Sequence, residues 1–352
     1  MKPINLADER LSYSGRIDWS NAAKPRMIFP ASSVTFRFRG REAVLRVENQ
    51  RGYWENYVGA IVDGVQKCWK LEAEGITEII LVDEAEERDH EILFFKRQDS
   101  CHIITLVELL LSDESILQSP PVKPNRRIEV YGDSVSAGEV SEAVAYVGCP
   151  DPEHCGEYSN SWYSYAWMTA RKLNAEIHNI SQGGIPLLNG AGWVCPPVYP
   201  GMESIWDKLH YLPNYGQVTE WEFERYTPHV VILAVGQNDS NPRDYMKEAP
   251  DGHQAVYWKY KYKQLILNIR EKYPKALILL TTTLLCHDAS WDRAMKEVAD
   301  ALGDERVRYF GYKRCGCGTP GHLRIPEAEE MATELAEYIE KLDIPVWDVS
   351  EK

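Results

Sequence analysis

The chain has 352 residues, too many for one ordinary hydrophobic core, so we expect two domains. Hydrophobic residues make up 44% of it and charged residues 26%, a balance typical of globular proteins. The formal net charge is −14. That charge disfavours nucleic acid or an anionic membrane surface as the main partner, because both are negatively charged. A neutral substrate fits it better.

The amino-terminal end lacks the apolar segment of a secretory signal, and no apolar run approaches the roughly 20 residues of a membrane span. We therefore expect a cytoplasmic protein with no membrane partner. Its eight cysteines are then expected to be thiols or metal ligands rather than disulfides. The sequence does not indicate an oligomeric state.

Residues 1–118 have the pattern of an all-β domain. Apolar and polar residues alternate over 34–40 and 43–48, and the strand at 57–62 runs into Asp63-Gly64, a strong hairpin signal. Further short strands are predicted at 79–82, 91–96 and 102–109. Short strands at this spacing favour a β-sandwich.

A proline-rich connector, residues 119–125, separates this domain from a second one over 126–352. There the pattern changes to nearly continuous apolar strands that alternate with helices. Such a pattern predicts an α/β domain with a parallel sheet covered on both faces. The predicted strands are 127–131, 176–180, 229–235, 276–283 and 307–312, and the predicted helices are 161–173, 254–272, 291–302 and 326–342.

The loops that follow these strands carry the parts of an acyl-transfer site. Gly132-Asp133-Ser134 follows the first strand, Gly183-Gly184 the second, and Gly236-Gln237-Asn238-Asp239 the third, while His322 lies in the loop after the last. Ligands of open α/β sheets bind at the carboxyl ends of strands. Each motif alone is ordinary turn chemistry, but together and in this order they supply a nucleophile, oxyanion donors and a general base.

These motifs resemble the SGNH (GDSL-type) hydrolases. The amino-terminal half is similar to that of carbohydrate esterase family two, through Tyr13-Ser14-Gly15-Arg16-Ile17 and the hairpin ending Val62-Asp63-Gly64. The resemblance implies a jelly-roll β-sandwich followed by a three-layer SGNH hydrolase domain. It also implies an acetyl esterase that acts on decorated plant polysaccharides and oligosaccharides.

Carried over to this sequence, the family's mechanism makes Ser134 the nucleophile and His322 the general base. The oxyanion would be held by the backbone N–H of Ser134, the backbone N–H of Gly184 in preference to Gly183, and the side-chain amide of Asn238. Gln182 replaces the first glycine of the family's Ser-Gly-x-Gly pattern.

The sequence departs from most SGNH enzymes at the position three residues before the histidine. An aspartate is usual there, but this chain has Thr319. Members of family two are known to work with a Ser-His dyad, so we predict a dyad here, with a backbone carbonyl orienting the imidazole. Asp288 and Asp292 are two acids upstream of this position and provide a test of that prediction.

No cofactor is expected for the chemistry itself. The active-site end of the predicted sheet gathers several cysteines, however, and such clusters in reduced proteins often bind zinc. A structural zinc that clamps the loop carrying His322 is therefore a hypothesis, although the spacing matches no standard zinc motif. Its candidate ligands are Cys149, Cys155, Cys195, Cys315 and Cys317.

The expected partner is an acetylated oligosaccharide of xylan or glucomannan type, and the sequence does not identify the sugar or the hydroxyl. Trp193, in a glycine-rich loop, is the best candidate to stack on a sugar ring; Trp162, Tyr163 and Trp206 are others, and each is equally compatible with core packing. Two alternative functions stay open. One is an SGNH lipase or thioesterase, and the other is a carbohydrate-binding protein with a vestigial site.

Overall fold

The computed structural model describes residues 1–194, 200–212 and 217–348, which form two compact units. The first unit contains Met1–Lys123, with His154–Glu157 and Leu209–Thr219. The second contains Pro124–Glu153, Tyr158–Lys208 and Glu220–Lys352. The division after Lys123 falls inside the proline-rich segment 119–125. Nothing in the sequence indicates that the two short later segments belong to the first unit.

The first unit is an antiparallel β structure. Its strands pair in the order β3-β4-β9-β5-β8-β6-β7, with β1 beside β9 and both β2 and β10 beside β5. The strands are β1 (Lys2–Ile4), β2 (Ser12–Ser14), β3 (Ile17–Asp18), β4 (Arg26–Met27), β5 (Ser33–Arg51), β6 (Tyr57–Val62), β7 (Val65–Lys70), β8 (Ile76–Lys96), β9 (His102–Leu111) and β10 (Ile116–Gln118).

The long strand β5 organises this unit, because its two halves have different neighbours. Its first half pairs with β2 and β10, and its second half pairs with β9. The register against β8 shifts between Gly40 and Glu42, which is where one strand can bend from one layer of a sandwich to the other. The predicted Asp63-Gly64 turn is confirmed, with φ of 50° and 82° and Val62 paired to Val65.

The core of this unit follows from the alternation seen in the sequence. Val34, Phe36 and Phe38 are buried, whereas the alternate side chains Arg37 and Arg39 are more exposed. A period of two places successive side chains on opposite faces of a strand. Burying each large apolar side chain contributes about 1.5–3 kcal/mol, so this face fixes the register.

The second unit contains the predicted parallel sheet. Five strands pair in the order β12-β11-β15-β16-β17, all parallel, and the interior strands are almost wholly buried. The strands are β11 (Arg126–Gly132), β12 (Ala175–Ser181), β15 (Val230–Ala234), β16 (Leu277–Leu280) and β17 (Val307–Tyr309). A separate pair, β13 (Lys208–His210) and β14 (Thr219–Glu220), lies at the two ends of the segment Leu209–Thr219 that was assigned to the first unit.

Helices connect these strands close to the predicted positions. The helix expected at 161–173 is divided, because the Ser164 hydroxyl accepts a hydrogen bond from Trp167 N–H and starts a new helix after a 3-10 turn at Ser161–Tyr163. Within the described residues, no helix is both long and apolar enough to span a membrane. The helices are α1 (Ser134–Ala137), α2 (Tyr165–Lys172), α3 (Met202–Ile205), α4 (Tyr245–Glu248), α5 (His253–Lys272), α6 (Ala289–Asp300) and α7 (Ile325–Glu340).

Candidate active site

Ser134 follows the carboxyl end of the interior strand β11 and is the first residue of α1. Asp133 caps this short helix, with its Oδ1 accepting a hydrogen bond of 3.0 Å from Val135 N–H. Gly132 is required just before it, because a Cβ there would lie 2.1 Å from Ser136 Oγ. The sharp turn from strand to helix therefore presents the Ser134 hydroxyl at the sheet edge where ligands of parallel sheets bind.

The Ser134 hydroxyl, the His322 imidazole and the Asp151 carboxylate form a continuous chain of hydrogen bonds. His322 Nε2 lies 2.8 Å from Ser134 Oγ, and His322 Nδ1 lies 2.5 Å from Asp151 Oδ2. Asp151 Oδ1 also accepts a hydrogen bond of 2.8 Å from the His322 backbone N–H. This is the geometry of a nucleophile, a general base and an acid that orients the base.

The predicted Ser-His dyad is therefore wrong in this structure. Asp151, rather than a backbone carbonyl, lies against His322 Nδ1. The acids named from the sequence do other work: Asp292 contacts His287, and Asp288 caps α6. The dyad was predicted because no acid occupies the usual position near His322, whereas Asp151 is 171 residues away in the sequence. The one feature of the sequence that could have indicated Asp151 is its position in the loop that follows the nucleophile, two residues after Cys149.

A buried arginine holds the Asp151 loop beside His322. Arg324 is fully buried, and its guanidinium donates to Asp151 Oδ1 at 2.9 Å, to the Pro150 carbonyl at 3.3 Å and to the His322 carbonyl. Gly321 permits this close approach, because a Cβ there would lie 2.6 Å from Asp151 Oδ1. A buried guanidinium bonded on several sides fixes the relative positions of the groups it contacts.

Glu327, in the first turn of α7, also holds the Asp151 loop beside His322. Glu327 Oε2 accepts a hydrogen bond of 2.8 Å from the Arg324 backbone N–H, and its Oε1 accepts one of 2.9 Å from Gly148 N–H. The same carboxylate thus caps the helix that follows His322 and anchors the loop that carries Asp151. The amino-terminal end of α7 therefore holds both the segment that carries Asp151 and the segment that carries His322.

Charge around His322 favours its protonated form. Burial opposes the imidazolium, but the carboxylates of Glu139 and Asp151 outweigh it and raise the pKa of His322 to about 9. Burial likewise disfavours the Asp151 carboxylate, but His322 lowers the pKa of Asp151 to about 2. Asp151 is therefore ionised at neutral pH and stabilises the imidazolium that forms when the base accepts a proton.

The loop between β12 and α3 is held by the Asn238-Asp239 motif. Asn238 Nδ2 donates to the Ile185 carbonyl at 3.1 Å and contacts Asp133 Oδ2 at 3.3 Å. Asp239 is buried and accepts hydrogen bonds of 2.6 and 3.0 Å from the backbone N–H groups of Leu187 and Leu188. This positioning role of Asp239 was not predicted, although its motif was recognised.

Two of the predicted oxyanion donors lie beside these contacts. Gly184 has φ of 73°, a left-handed conformation that favours glycine, and a Cβ there would lie 2.7 Å from Trp193 Cβ. Asn238 uses its amide for Ile185 and Asp133, so an oxyanion would have to replace the longer of those two contacts. The oxyanion roles of Ser134, Gly184 and Asn238 stay predictions.

The chain is similar to known carbohydrate esterases over nearly its whole length. Residues 13–121 match the family model described as Carbohydrate esterase 2 N-terminal. Cellulase/esterase CelE of Acetivibrio thermocellus is 28% identical over 339 residues, which is 93% of this chain but 39% of CelE. The acetylxylan esterase / glucomannan deacetylase of Cellvibrio japonicus is 26% identical over 350 residues, covering 96% of this chain and 90% of that protein.

Solved structures agree with these sequence matches. A family two carbohydrate esterase from Clostridium thermocellum in complex with cellohexaose aligns with a TM-score of 0.77 and 26% identity, over 94% of this chain and 98% of that one. This chain is a relative of the family two carbohydrate esterases. The family two esterase of Cellvibrio japonicus has the same fold, with a TM-score of 0.82 at 22% identity over 99% of this chain and 98% of that one. The jelly-roll and SGNH architecture expected from the resemblance is confirmed.

Of the tryptophans predicted from the sequence to bind sugar in this chain, only Trp193 has a largely exposed side chain. Trp193 is 66% exposed, and its backbone N–H donates to the Gly184 carbonyl at 2.9 Å. Trp206 is buried and packs on Phe223, so the prediction that it stacks on a sugar is wrong. One face of Trp162 is covered by the Arg171 guanidinium at 3.8 Å, which favours a packing role.

The cysteines do not form the predicted zinc cluster in the described part of the chain. No three of Cys149, Cys155, Cys315 and Cys317 lie close enough to share an ion there, and Cys195 is outside the described residues. Cys315 instead contacts Asp292 and Thr282. The hypothesis rested on a shared sheet edge, and loops that leave the same edge do not bring these described cysteines to one point.

Proposed function

We propose that the chain is a carbohydrate acetyl esterase that removes O-acetyl groups from plant-derived oligosaccharides of xylan or glucomannan type, through an acetyl-enzyme intermediate. The observation that carries this proposal is the hydrogen-bonded series Ser134 Oγ, His322 Nε2, His322 Nδ1 and Asp151 Oδ2. The names of the relatives add the class of substrate: one is an acetylxylan esterase / glucomannan deacetylase, and another is a family two carbohydrate esterase solved with cellohexaose.

The reaction would begin with attack of Ser134 Oγ on the acetyl carbonyl. His322 Nε2, 2.8 Å away, accepts the hydroxyl proton as the bond forms. Asp151 stays ionised and stabilises the new imidazolium. Collapse of the tetrahedral intermediate breaks the bond to the sugar oxygen, which takes the proton from His322 and leaves as the free hydroxyl.

Hydrolysis of the acetyl-enzyme would repeat the same steps with water. His322 removes a proton from the attacking water, and the proton then returns to Ser134 as acetate leaves. In both halves the negative oxygen would be stabilised by the backbone N–H groups of Ser134 and Gly184 and by the Asn238 amide. Losing one such donor typically costs about 100- to 1000-fold in rate.

Trp193 is the residue we propose for sugar binding. Its side chain is exposed, and its backbone N–H donates a hydrogen bond to the carbonyl of Gly184, whose own N–H is a proposed oxyanion donor. A flat aromatic face suits the apolar face of a sugar ring. This arrangement would place a sugar next to the acetyl group that Ser134 attacks.

The direct test is acetate release from acetylated xylo- and manno-oligosaccharides, with Ser134→Ala as control. We expect release by the parent protein and none by the variant. Faster hydrolysis of p-nitrophenyl octanoate than of the acetate would instead indicate a lipase or thioesterase. Oligosaccharide binding retained in both proteins, without hydrolysis by either, would indicate a binding protein with a vestigial site.

A further inference from the structure

Three side chains with metal-binding atoms meet near the active-site loops but outside the triad. They are His287, Asp292 and Cys315, and one ligand atom from each lies within 4.8 Å of the other two. His287 Nε2 is 3.1 Å from Asp292 Oδ2, and Cys315 Sγ is 3.4 Å from Asp292 Oδ1. No other group of three such ligands occurs in the part of the chain that the structure describes.

The three residues come from separate segments. His287 lies in the loop after β16, Asp292 in the first turn of α6, and Cys315 in the loop after β17. The chemical set is a nitrogen, an oxygen and a sulfur. That mixture suits Zn²⁺, which binds imidazole, carboxylate and thiolate with bond lengths of about 2.0–2.3 Å. Ligand atoms around such an ion are separated by distances similar to those seen here.

Neighbouring groups orient the three side chains toward one another. His287 Nδ1 lies 2.7 Å from the Leu285 carbonyl, a contact that orients the ring so that Nε2 faces Asp292, and a bound ion would replace the proton that Nε2 shares with the Asp292 carboxylate. The Thr282 hydroxyl lies 2.5 Å from Asp292 Oδ1 and 2.8 Å from Cys315 Sγ. Outer contacts of this kind typically orient metal ligands.

We propose that His287, Asp292 and Cys315 form a structural site for a zinc-class divalent cation, with water or one further group as the fourth ligand. Binding would release the Cys315 thiol proton, because the thiolate is the ligand. The His287 side chain is 6% exposed and that of Asp292 17%, so the cluster is shielded but open enough for an ion to enter.

The site would join segments that lead to the catalytic residues. The backbone around His287 pairs with the loop after Cys315: Cys286 N–H donates to the Thr319 carbonyl, three residues before His322, at 2.8 Å. The side-chain amide of Gln237, next to Asn238, lies 3.0 Å from His287 Nδ1. An ion here would therefore stabilise the loops that carry the base and the proposed oxyanion amide, without touching either.

The test is metal binding by the full chain after treatment with a chelator. Zn²⁺ is added, excess is removed, and the bound metal is measured by mass spectrometry. We expect about one ion per chain and a higher melting temperature, because a ligand that binds only the folded state stabilises it. Cys315→Ser and His287→Gln should each weaken binding by at least about 100-fold, since even outer contacts of a metal site are worth 10- to 100-fold.

Cys317→Ser is the matched control, because Cys317 is exposed and two residues from Cys315. It should bind Zn²⁺ as the parent does. Co²⁺ supplies a second readout: a thiolate-to-cobalt absorption band should appear in the parent and in Cys317→Ser but not in Cys315→Ser. No binding by the parent, or equal binding by Cys315→Ser, would overturn the proposal and leave an ion pair between His287 and Asp292. Neither readout depends on esterase activity, so the outcome is independent of the proposed function.

Discussion

Replacement of Asp151 by alanine tests the proposed triad most directly. Asp151 Oδ2 lies 2.5 Å from His322 Nδ1, and a hydrogen bond between charged groups contributes about 1.5–3 kcal/mol. At a pH above the His322 inflection the ring is neutral and that energy is lost only when the imidazolium forms, so kcat measured there should fall by about 10- to 150-fold. The Asp151 side chain is 29% exposed, so water can partly replace it in the variant and hold the loss within this range.

Asparagine at the same position should be worse than alanine. Asp151 Oδ1 accepts from the His322 backbone N–H and from the Arg324 guanidinium, so an asparagine must place its oxygen there. Its NH₂ group then faces His322 Nδ1 and donates to it. The ring proton moves to Nε2, which can no longer accept the Ser134 proton. The wrong tautomer costs about 10⁴-fold in serine protease triads, and we expect a loss approaching that value.

Both variants should be assayed for kcat with p-nitrophenyl acetate and for acetate release from an acetylated oligosaccharide. Glu153→Gln is the matched control, because it removes an exposed carboxylate from the same loop. Circular dichroism would confirm that the variants fold. Activity of Asp151→Ala within about threefold of the parent would refute the reasoning and restore the dyad.

Three further predictions follow from the site. First, kcat/KM should rise with pH to a plateau above about 9, because only neutral His322 accepts a proton, and Glu139→Gln should shift this inflection to lower pH in a pH–rate profile. Second, Gly321→Ala should reduce kcat by about 100-fold in the same ester assay, because its Cβ would displace Asp151. Third, Trp193→Ala should raise KM for oligosaccharides and leave p-nitrophenyl acetate hydrolysis unchanged. An unshifted inflection, a fully active Gly321→Ala or an unchanged KM would contradict the respective prediction.

The sequence predicted those features that depend on local pattern. Alternation over residues 34–40 gave the face of a strand, and the apolar run at 229–235 gave a buried parallel strand. Both follow from side-chain periods that a few neighbouring residues determine. The nucleophile and the base could be predicted for a related reason: Ser134 lies just after a strand with such a pattern, His322 lies just before a helix with one, and the structure brings the two residues together.

The acid and the proposed metal site were not predictable in this way, because they depend on contacts between loops. Asp151 lies in an irregular segment with no periodicity, and its partner is 171 residues away. The cysteine hypothesis found Cys315 but missed His287 and Asp292, because it considered thiols alone. A position in an irregular loop is determined by the whole fold, and the sequence supplies no spacing rule for it.

The replacement of the usual aspartate by Thr319 has a physical explanation in this loop. Thr319 is buried, its N–H donates to the Leu284 carbonyl at 3.3 Å, and it forms a β-bridge with Leu285. The Thr319 hydroxyl has no hydrogen-bond partner among the described residues, so a carboxylate in its present surroundings would lose its hydration without compensation, at a cost of several kcal/mol. Asp151 avoids that cost, because it is partly exposed and lies against both His322 and Arg324. The acid therefore comes from a loop where its charge is compensated, and the residue near the histidine serves packing instead.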